Sequence, residues 1–339
     1  MPTEQELLLE GVFNWENIKE EFDPPDLLLG NGFSMQFSGN FAYPSLFALF
    51  LENCNEQYRS LFREFNTTNF ELILKYLTYT IKVNTVLNLP TQPVVNALEE
   101  LKNGLIRTIE QVHPRAEDIE FPQLEVVAEK LRGFNNIYTT NYDLYLYHII
   151  MLSHDRSKTD KTYVPYQDWF WGRHNAPNGF REFMDYQNRT FKHIYYLHGS
   201  LFIFKHGLYT IKLIKDEHGQ ELIESIGDEI RANNFPLFVS EGAGSQKKER
   251  IQDNSYLRFC LDQLEDSEEP VLVFGNAMAE FDTHILRALK AKDRTIIYSI
   301  YTHDRTMDEI NLEKFNFLAK FNNYGGEVKF VNSSTVFGI

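Results

Sequence analysis

The chain has 339 residues, 43% of them hydrophobic and 14% aromatic, with 28 Phe and 18 Tyr, a composition that excludes a disordered protein. Its net charge of -15 and pI near 5.2 argue against nucleic-acid binding as the main activity, which needs clustered Lys and Arg. Cys54 and Cys260 are too few for a zinc ribbon or a disulfide framework. There is no basic start followed by an apolar run, and no apolar stretch of about 18 residues. The expectation is a reduced, cytoplasmic protein without membrane contact.

In chain order, Asp26–Leu29 follows Pro24-Pro25 and reads as a buried strand entering the tight glycine loop Gly30-Asn31-Gly32-Phe33-Ser34. A helical region follows. Pro44 is placed to open a helix through Leu46–Leu51, and Asn69 to cap one containing Phe70, Ile73, Leu74 and Leu77. Thr91 precedes an amphipathic run from Val94 to Val112, and Pro122–Leu131 forms a further helix stopped by Gly133. Asn136–Thr139 is a short strand that runs through Thr140-Asn141-Tyr142-Asp143 into the apolar helix Leu144–Ile150.

Residues 153–192 are polar, turn-rich and aromatic, and Trp169-Phe170-Trp171 favours an ordered excursion whose rings pack together over a stacking surface. His193–Leu197 returns as a strand ending in His198-Gly199-Ser200, followed by a hairpin-like segment through Phe204 and Ile211. Strands and helices then alternate. Pro236–Val239 leads to Ser240-Glu241-Gly242 and a helix near 251–265, and Pro270–Phe274 leads to Gly275-Asn276-Ala277 and a helix near 281–290. Thr295–Ile300 is a strand, followed by a helix near 306–321 and a last strand near 328–331. This alternation predicts an α/β fold: one domain over 1–339 with a Rossmann-like, mostly parallel sheet and helices on both faces. A helical insertion at 45–133 and the aromatic-rich insertion at 153–192 are carried on it.

Four junctions carry polar residues at strand carboxyl ends, where open α/β sheets hold ligands. Gly30–Ser34 reads either as a plain turn or as a loop whose N–H groups wrap a pyrophosphate. Met35 stands where a dehydrogenase fingerprint has its third glycine, and Gly242–Lys247 lacks a Walker ending. Asn141 and Asp143 are either site residues or helix caps. His198 is either structural or a base, and Asp282 either joins the Gly275-Asn276 junction or sits near a helix N-terminus. Lys247-Lys248-Glu249-Arg250 reads as a solvated loop or helix start, and the acids at 265–269 as a solvated loop instead of a metal site.

Taken in order, these junctions resemble the sirtuin family. Gly30-Asn31-Gly32-Phe33-Ser34 is similar to its Gly-Ala-Gly-Ile-Ser loop, with Asn31 in place of Ala. Thr139-Thr140-Asn141-Tyr142-Asp143 corresponds to its Thr-Gln-Asn-Ile-Asp motif, His198-Gly199 to its catalytic His before Gly, and Gly275-Asn276-Ala277 loosely to its Gly-Thr-Ser strand end. The Thr-Asn-Tyr-Asp variant and the segment from Phe274 to Asp282 resemble a bacterial branch found in antiphage defence. The likeness covers about half of the chain, in the sheet-forming segments. The four-cysteine zinc module of deacylating sirtuins is missing. The resemblance therefore implies a metal-free glycohydrolase that takes NAD as substrate. Asn141 and His198 would be catalytic, and Gly30, Asn31, Gly32, Phe33, Ser34, Thr140, Asp143, Gly275, Asn276 and Asp282 would bind NAD. It also implies restraint of the activity by homo-oligomerisation or by a regulatory partner from the same operon. Two alternatives stand beside it: a sensor that binds NAD or ADP-ribose without turnover, and a zinc-free deacylase.

Overall fold

The computed structural model describes residues 2–22, 24–41, 46–52, 54–113, 121–160, 165–185, 191–214, 222–239, 244–278 and 282–338. The expected helix start at Pro44 and the turn at Ser240–Gly242 lie outside them. Its strands are Val12–Phe13 (β1), Asp26–Leu29 (β2), Ile137–Thr139 (β3), Tyr166–Gln167 (β4), Phe170–Gly172 (β5), Phe180–Phe183 (β6), Lys192–Tyr196 (β7), Gly199–His206 (β8), Tyr209–Leu213 (β9), Pro236–Phe238 (β10), Val271–Phe274 (β11), Ile296–Ile300 (β12) and Val328–Asn332 (β13).

Eight strands form one sheet in the order β1-β13-β12-β11-β2-β3-β7-β4, and every pairing in it is parallel. Its central six, β7-β3-β2-β11-β12-β13, follow the doubly wound 3-2-1-4-5-6 order of the Rossmann fold. β2, β11 and β12 are buried at every position, as continuous apolar runs must be when helices cover both faces. The order of connection reverses between β2 and β11, so the loops leaving Leu29 and Phe274 part from neighbouring strand ends.

The helices between β2 and β3 include Leu46–Glu52, Glu56–Glu64, Phe70–Val86, Gln92–Val112 and Phe121–Leu131. Asn69 caps the third of these by accepting from the Leu72 N–H at 3.3 Å, whereas Thr91 makes no side-chain cap bond. The helix expected near 251–265 is two, Gly244–Gln252 and Ser255–Asp266. They part at Asn254, whose side chain accepts from Leu257 N–H at 3.0 Å and so starts the second. Buried Arg294 ties helix ends together, donating to the carbonyls of Leu264, Ser267, Ala288 and Leu289.

From the aromatic excursion, β4 joins the parallel sheet, while β5 and β6 join β8, β9 and β10 in a second sheet, ordered β10-β8-β9-β6-β5 and antiparallel throughout. Trp169 is buried and stacks on His193 with ring centres 4.5 Å apart, while Phe259 meets its edge at 4.8 Å. Packing therefore accounts for it. Residues 236–239 break the expected alternation, because β10 joins the antiparallel sheet at its edge. Pro236 suits that position, since it has no N–H for an inner ladder. The chain passes from one sheet to the other at Gly199, whose φ of +74° favours glycine. A Cβ there would lie 2.0 Å from the Leu237 carbonyl oxygen.

Candidate functional site

A cleft of about 960 Å³ opens over the carboxyl ends of β2, β3, β7, β11, β12 and β13. It is of a size that holds cofactors and substrates. Of the residues singled out from sequence, Asn31, Gly32, Thr140, Asn141, Asp143, His198, Gly275, Asn276 and Asp282 all line it. Gly30, Phe33 and Ser34 do not line it. The Phe33 ring is buried edge-on against Phe37, Phe274 and Phe337, so its side chain belongs to the core.

The glycines serve an approach of backbone to backbone. Gly30 N–H donates to Phe274 O and Gly32 N–H to Gly275 O, each at 2.9 Å. A Cβ on Gly30 would lie 2.6 Å from Asn276 Cα, and one on Gly275, whose φ is +64°, 2.6 Å from Phe33 N. The two loops at the switch point thus interlock. The amides of Gly30, Gly32 and Phe33 are engaged by carbonyls, which leaves this loop less able to wrap a pyrophosphate than its composition implies.

Asn141 does not cap the following helix Tyr145–Thr159; Asp143 accepts from Tyr145 N–H at 2.9 Å instead. The Asn141 amide nitrogen donates to Gly30 O and to Ser34 Oγ, both at 3.0 Å. Ser34 in turn donates to Asp143. Both N–H groups of Asn141 are therefore taken, and its Oδ1 makes no hydrogen bond among the described residues. Burial raises the Asp143 carboxyl above its usual range, against the opposing pull of the Ser34 hydrogen bond. Across the crossing, Asn276 donates to Thr140 Oγ1 at 3.2 Å.

At the end of β7, His198 is buried, and its Nε2 lies 2.8 Å from His284 Nε2. Burial pushes His198 down to about 3 and His284 down to about 4, so both are neutral near pH 7. Asp282 begins the helix Thr283–Leu289 without capping it and pairs instead with Lys247 Nζ at 2.8 Å. Burial alone would raise Asp282, but His198, Lys247 and His284 together hold it below its usual range. Lys247 is buried within the helix Gly244–Gln252 and not solvated as its basic run suggested. One ligand atom each from His198, Asp282 and His284 lies within 4.8 Å of the others, a donor set suited to a divalent metal. The Lys247 ammonium already compensates the carboxylate.

The sequence reading missed His284 and Lys247, as well as the wall built by Tyr298, Ser299, Thr302 and Ser333. Ser299 Oγ is buried there without a partner among the described residues. The strand-end rule, applied to β12 and β13 as it was to β2, β3 and β7, would have found the hydroxyls. Asp282-Thr283-His284 on one helical turn was the available signal for the histidine.

A family model described as a domain of unknown function, DUF4917, matches residues 27–336. The chain belongs to the DUF4917 family. The match runs from within β2 to beyond β13, so the strands that line the cleft lie inside the DUF4917 region, apart from Asp26 at the start of β2. No curated protein matches the chain.

Proposed function

We propose that this DUF4917 protein is a sirtuin-like NAD glycohydrolase, cleaving NAD to nicotinamide and ADP-ribose. The observation that carries the reading is convergence on one cleft: Asn141 and Asp143 from the end of β3, His198 from the end of β7, and Asn31, Gly32, Gly275 and Asn276 from the two loops at the switch point. Sheets of this order take dinucleotides at that point. Among the described residues no helix is long and apolar enough to cross a membrane, in keeping with action on a small soluble substrate. Cys54 and Cys260 are both free and sit apart from the cleft, which favours glycosidic cleavage over zinc-supported deacylation.

The chemistry needs few groups. The C1′–N bond breaks with its electron pair going to the pyridine nitrogen, and nicotinamide leaves neutral. A water then bonds to the cationic C1′, and its proton must be removed. Asn141, with both N–H groups engaged, contributes Oδ1 as an acceptor for that water or a ribose hydroxyl. His198 takes the proton. Asp143 holds the Ser34 loop and the start of the helix Tyr145–Thr159. In the cell, the reading includes restraint: a constitutive enzyme would drain NAD, so activity is released in an antiphage response. That release goes through self-association or an operon partner docking on the helices of 45–133.

The test is nicotinamide release from NAD by the purified full chain, alone and with its operon neighbour. Release that is lost in Asn141→Ala and in His198→Ala supports the enzyme. A second reading, an NAD or ADP-ribose sensor, draws support from the depth of His198, which burial makes a weak base. Tight NAD binding without release in either preparation would establish the sensor in place of the hydrolase, and turnover only with an acyl-lysine peptide would establish a deacylase.

A further inference from the structure

Resting on the glycohydrolase reading, we propose that Glu313 is a specificity-determining residue: its carboxylate accepts from the two hydroxyls of the adenine-side ribose and so selects NAD over NADP. Asn141 and His198 stand at the ends of β3 and β7, on one side of the switch point. Tyr298, Ser299, Thr302 and Ser333 stand at the ends of β12 and β13, on the other side. A dinucleotide that crosses the switch point with its nicotinamide ribose at Asn141 lays its adenosine over this second group. Ser299 gives independent support. It is buried and lines the cleft, and its Oγ has no partner among the described residues. Such a hydroxyl calls for an explanation, and a polar atom of the ligand supplies one.

Sheets of this order commonly read the ribose with an acid at the end of the second strand. Here that place is spent, because Asp143, after β3, accepts from Ser34 Oγ and from Tyr145 N–H. Asp282, also in the cleft, is paired with Lys247. Glu313 lines the cleft from the helix Met307–Lys320, which follows β12, and so stands on the adenosine side. Two neighbours fix it without using it up. Tyr298, stacked on Phe317 with ring centres 3.9 Å apart, donates its hydroxyl to Glu313 Oε1 at 3.0 Å, and Arg305 pairs with Oε2. A carboxylate offers about four acceptor positions, so each oxygen keeps one for a ribose hydroxyl. A 2′-phosphate would instead bring about two negative charges against it. The surroundings do not welcome that charge. Arg305 does not line the cleft, and its Nη1 and Nη2 also donate to the carbonyls of Tyr301 and Glu309. His303 directs its Nδ1 at Asp304, 2.8 Å away. The start of the helix Met307–Lys320 is closed by the capping box of Thr306 and Glu309, with Asp308 beside it.

Titration calorimetry of the full chain with ADP-ribose and with 2′-phospho-ADP-ribose reads this selection without turnover. The wild type is expected to bind ADP-ribose about 100-fold tighter than its 2′-phosphate. Glu313→Gln keeps an acceptor oxygen but loses the charge, and should cut that ratio at least tenfold. Asp308→Asn, on the same helix but outside the cleft, should leave it within about threefold. Ser299→Ala should weaken both ligands alike, by about five- to tenfold, the worth of one hydrogen bond. Equal affinity of the wild type for the two ligands, or a ratio unmoved in Glu313→Gln, overturns the proposal. So does an ADP-ribose affinity unchanged in Ser299→Ala. A wild type that binds neither ligand overturns both the proposal and the NAD reading beneath it. The expected selection in a protein that releases no nicotinamide would leave Glu313 in its role and refute the glycohydrolase. Nicotinamide released with equal kcat/KM from NAD and NADP would do the reverse.

Discussion

Replacing Gly275 by Ala separates the demands of the switch point from ordinary glycine effects. The residue holds φ at +64°, a region that costs an L-residue about 1–2 kcal/mol. The new methyl would also stand 2.6 Å from Phe33 N, 2.7 Å from Gly32 C and 2.8 Å from Gly32 Cα. These are backbone atoms, so the two loops must part by roughly 0.8 Å to reach ordinary contact at 3.4 Å. Parting them strains the Gly32 N–H to Gly275 O bond and the packing beneath it, together about 2–3 kcal/mol. The expected loss is therefore about 3–5 kcal/mol in guanidinium denaturation. Gly11→Ala is the matched control. Its φ is +72° with nothing within 4 Å of the added carbon, so it reports the backbone term alone, about 1–2 kcal/mol. If the two variants lose the same stability within about 0.5 kcal/mol, the loops do not interlock as described. Nicotinamide release, if the proposed activity holds, should fall in Gly275→Ala and stay unchanged in Gly11→Ala.

Acid should destabilise the protein early. Burial holds His113 near 4, His198 near 3 and His284 near 4, all below the usual 6.5 of an unfolded chain. The unfolded state therefore binds protons that the native state refuses: stability is full above about pH 6.5 and falls as the pH drops toward 4, by about 2 kcal/mol per histidine at pH 5. Asp26 and Asp143, raised mainly by burial, oppose this where they titrate, because the native state takes up their protons first. Denaturation at pH 7 and pH 5 measures the slope, and His113→Leu should make it shallower; a flat profile would contradict the neutral buried histidines. Arg294→Met keeps the aliphatic stem but removes the donors to Leu264, Ser267, Ala288 and Leu289. A loss of about 3 kcal/mol is expected in the same assay, and one below about 1 kcal/mol would show that water replaces the guanidinium at those helix ends.

The large sheet was legible because its central strands are short apolar runs set between helical periodicities. Asp26–Leu29 and Val271–Phe274 announce themselves in that way. The small sheet was less so. Pro236–Phe238 has the same apolar look as a parallel strand, and only its partner β8, 32 residues earlier at Phe204, gives it an antiparallel place. Local patterns carry no information on such a pairing. β1 is only two residues long, too short for a period to register. Within the cleft, strand-end residues could be picked out one junction at a time, but their partners could not. That Asn141 spends its donors on Gly30 and Ser34, and that Lys247 reaches Asp282 across 35 residues, follows from how the loops cross. The glycines were noticed for the space they open to a ligand, whereas what they admit is each other.

His198 lies at the seam between two sheets, after β7 of the parallel one and before β8 of the antiparallel one. Asn141 is anchored wholly within the first, through Gly30 and Ser34. Val239 N–H holds the His198 carbonyl at 2.7 Å, so the strand Pro236–Phe238 steadies the histidine from the other side. The distance between the two candidate catalytic side chains is thus a property of how the sheets sit on one another. Under the proposed activity, a substitution far out on the antiparallel sheet would change the rate without touching substrate, by tilting one half of the pair away from the other.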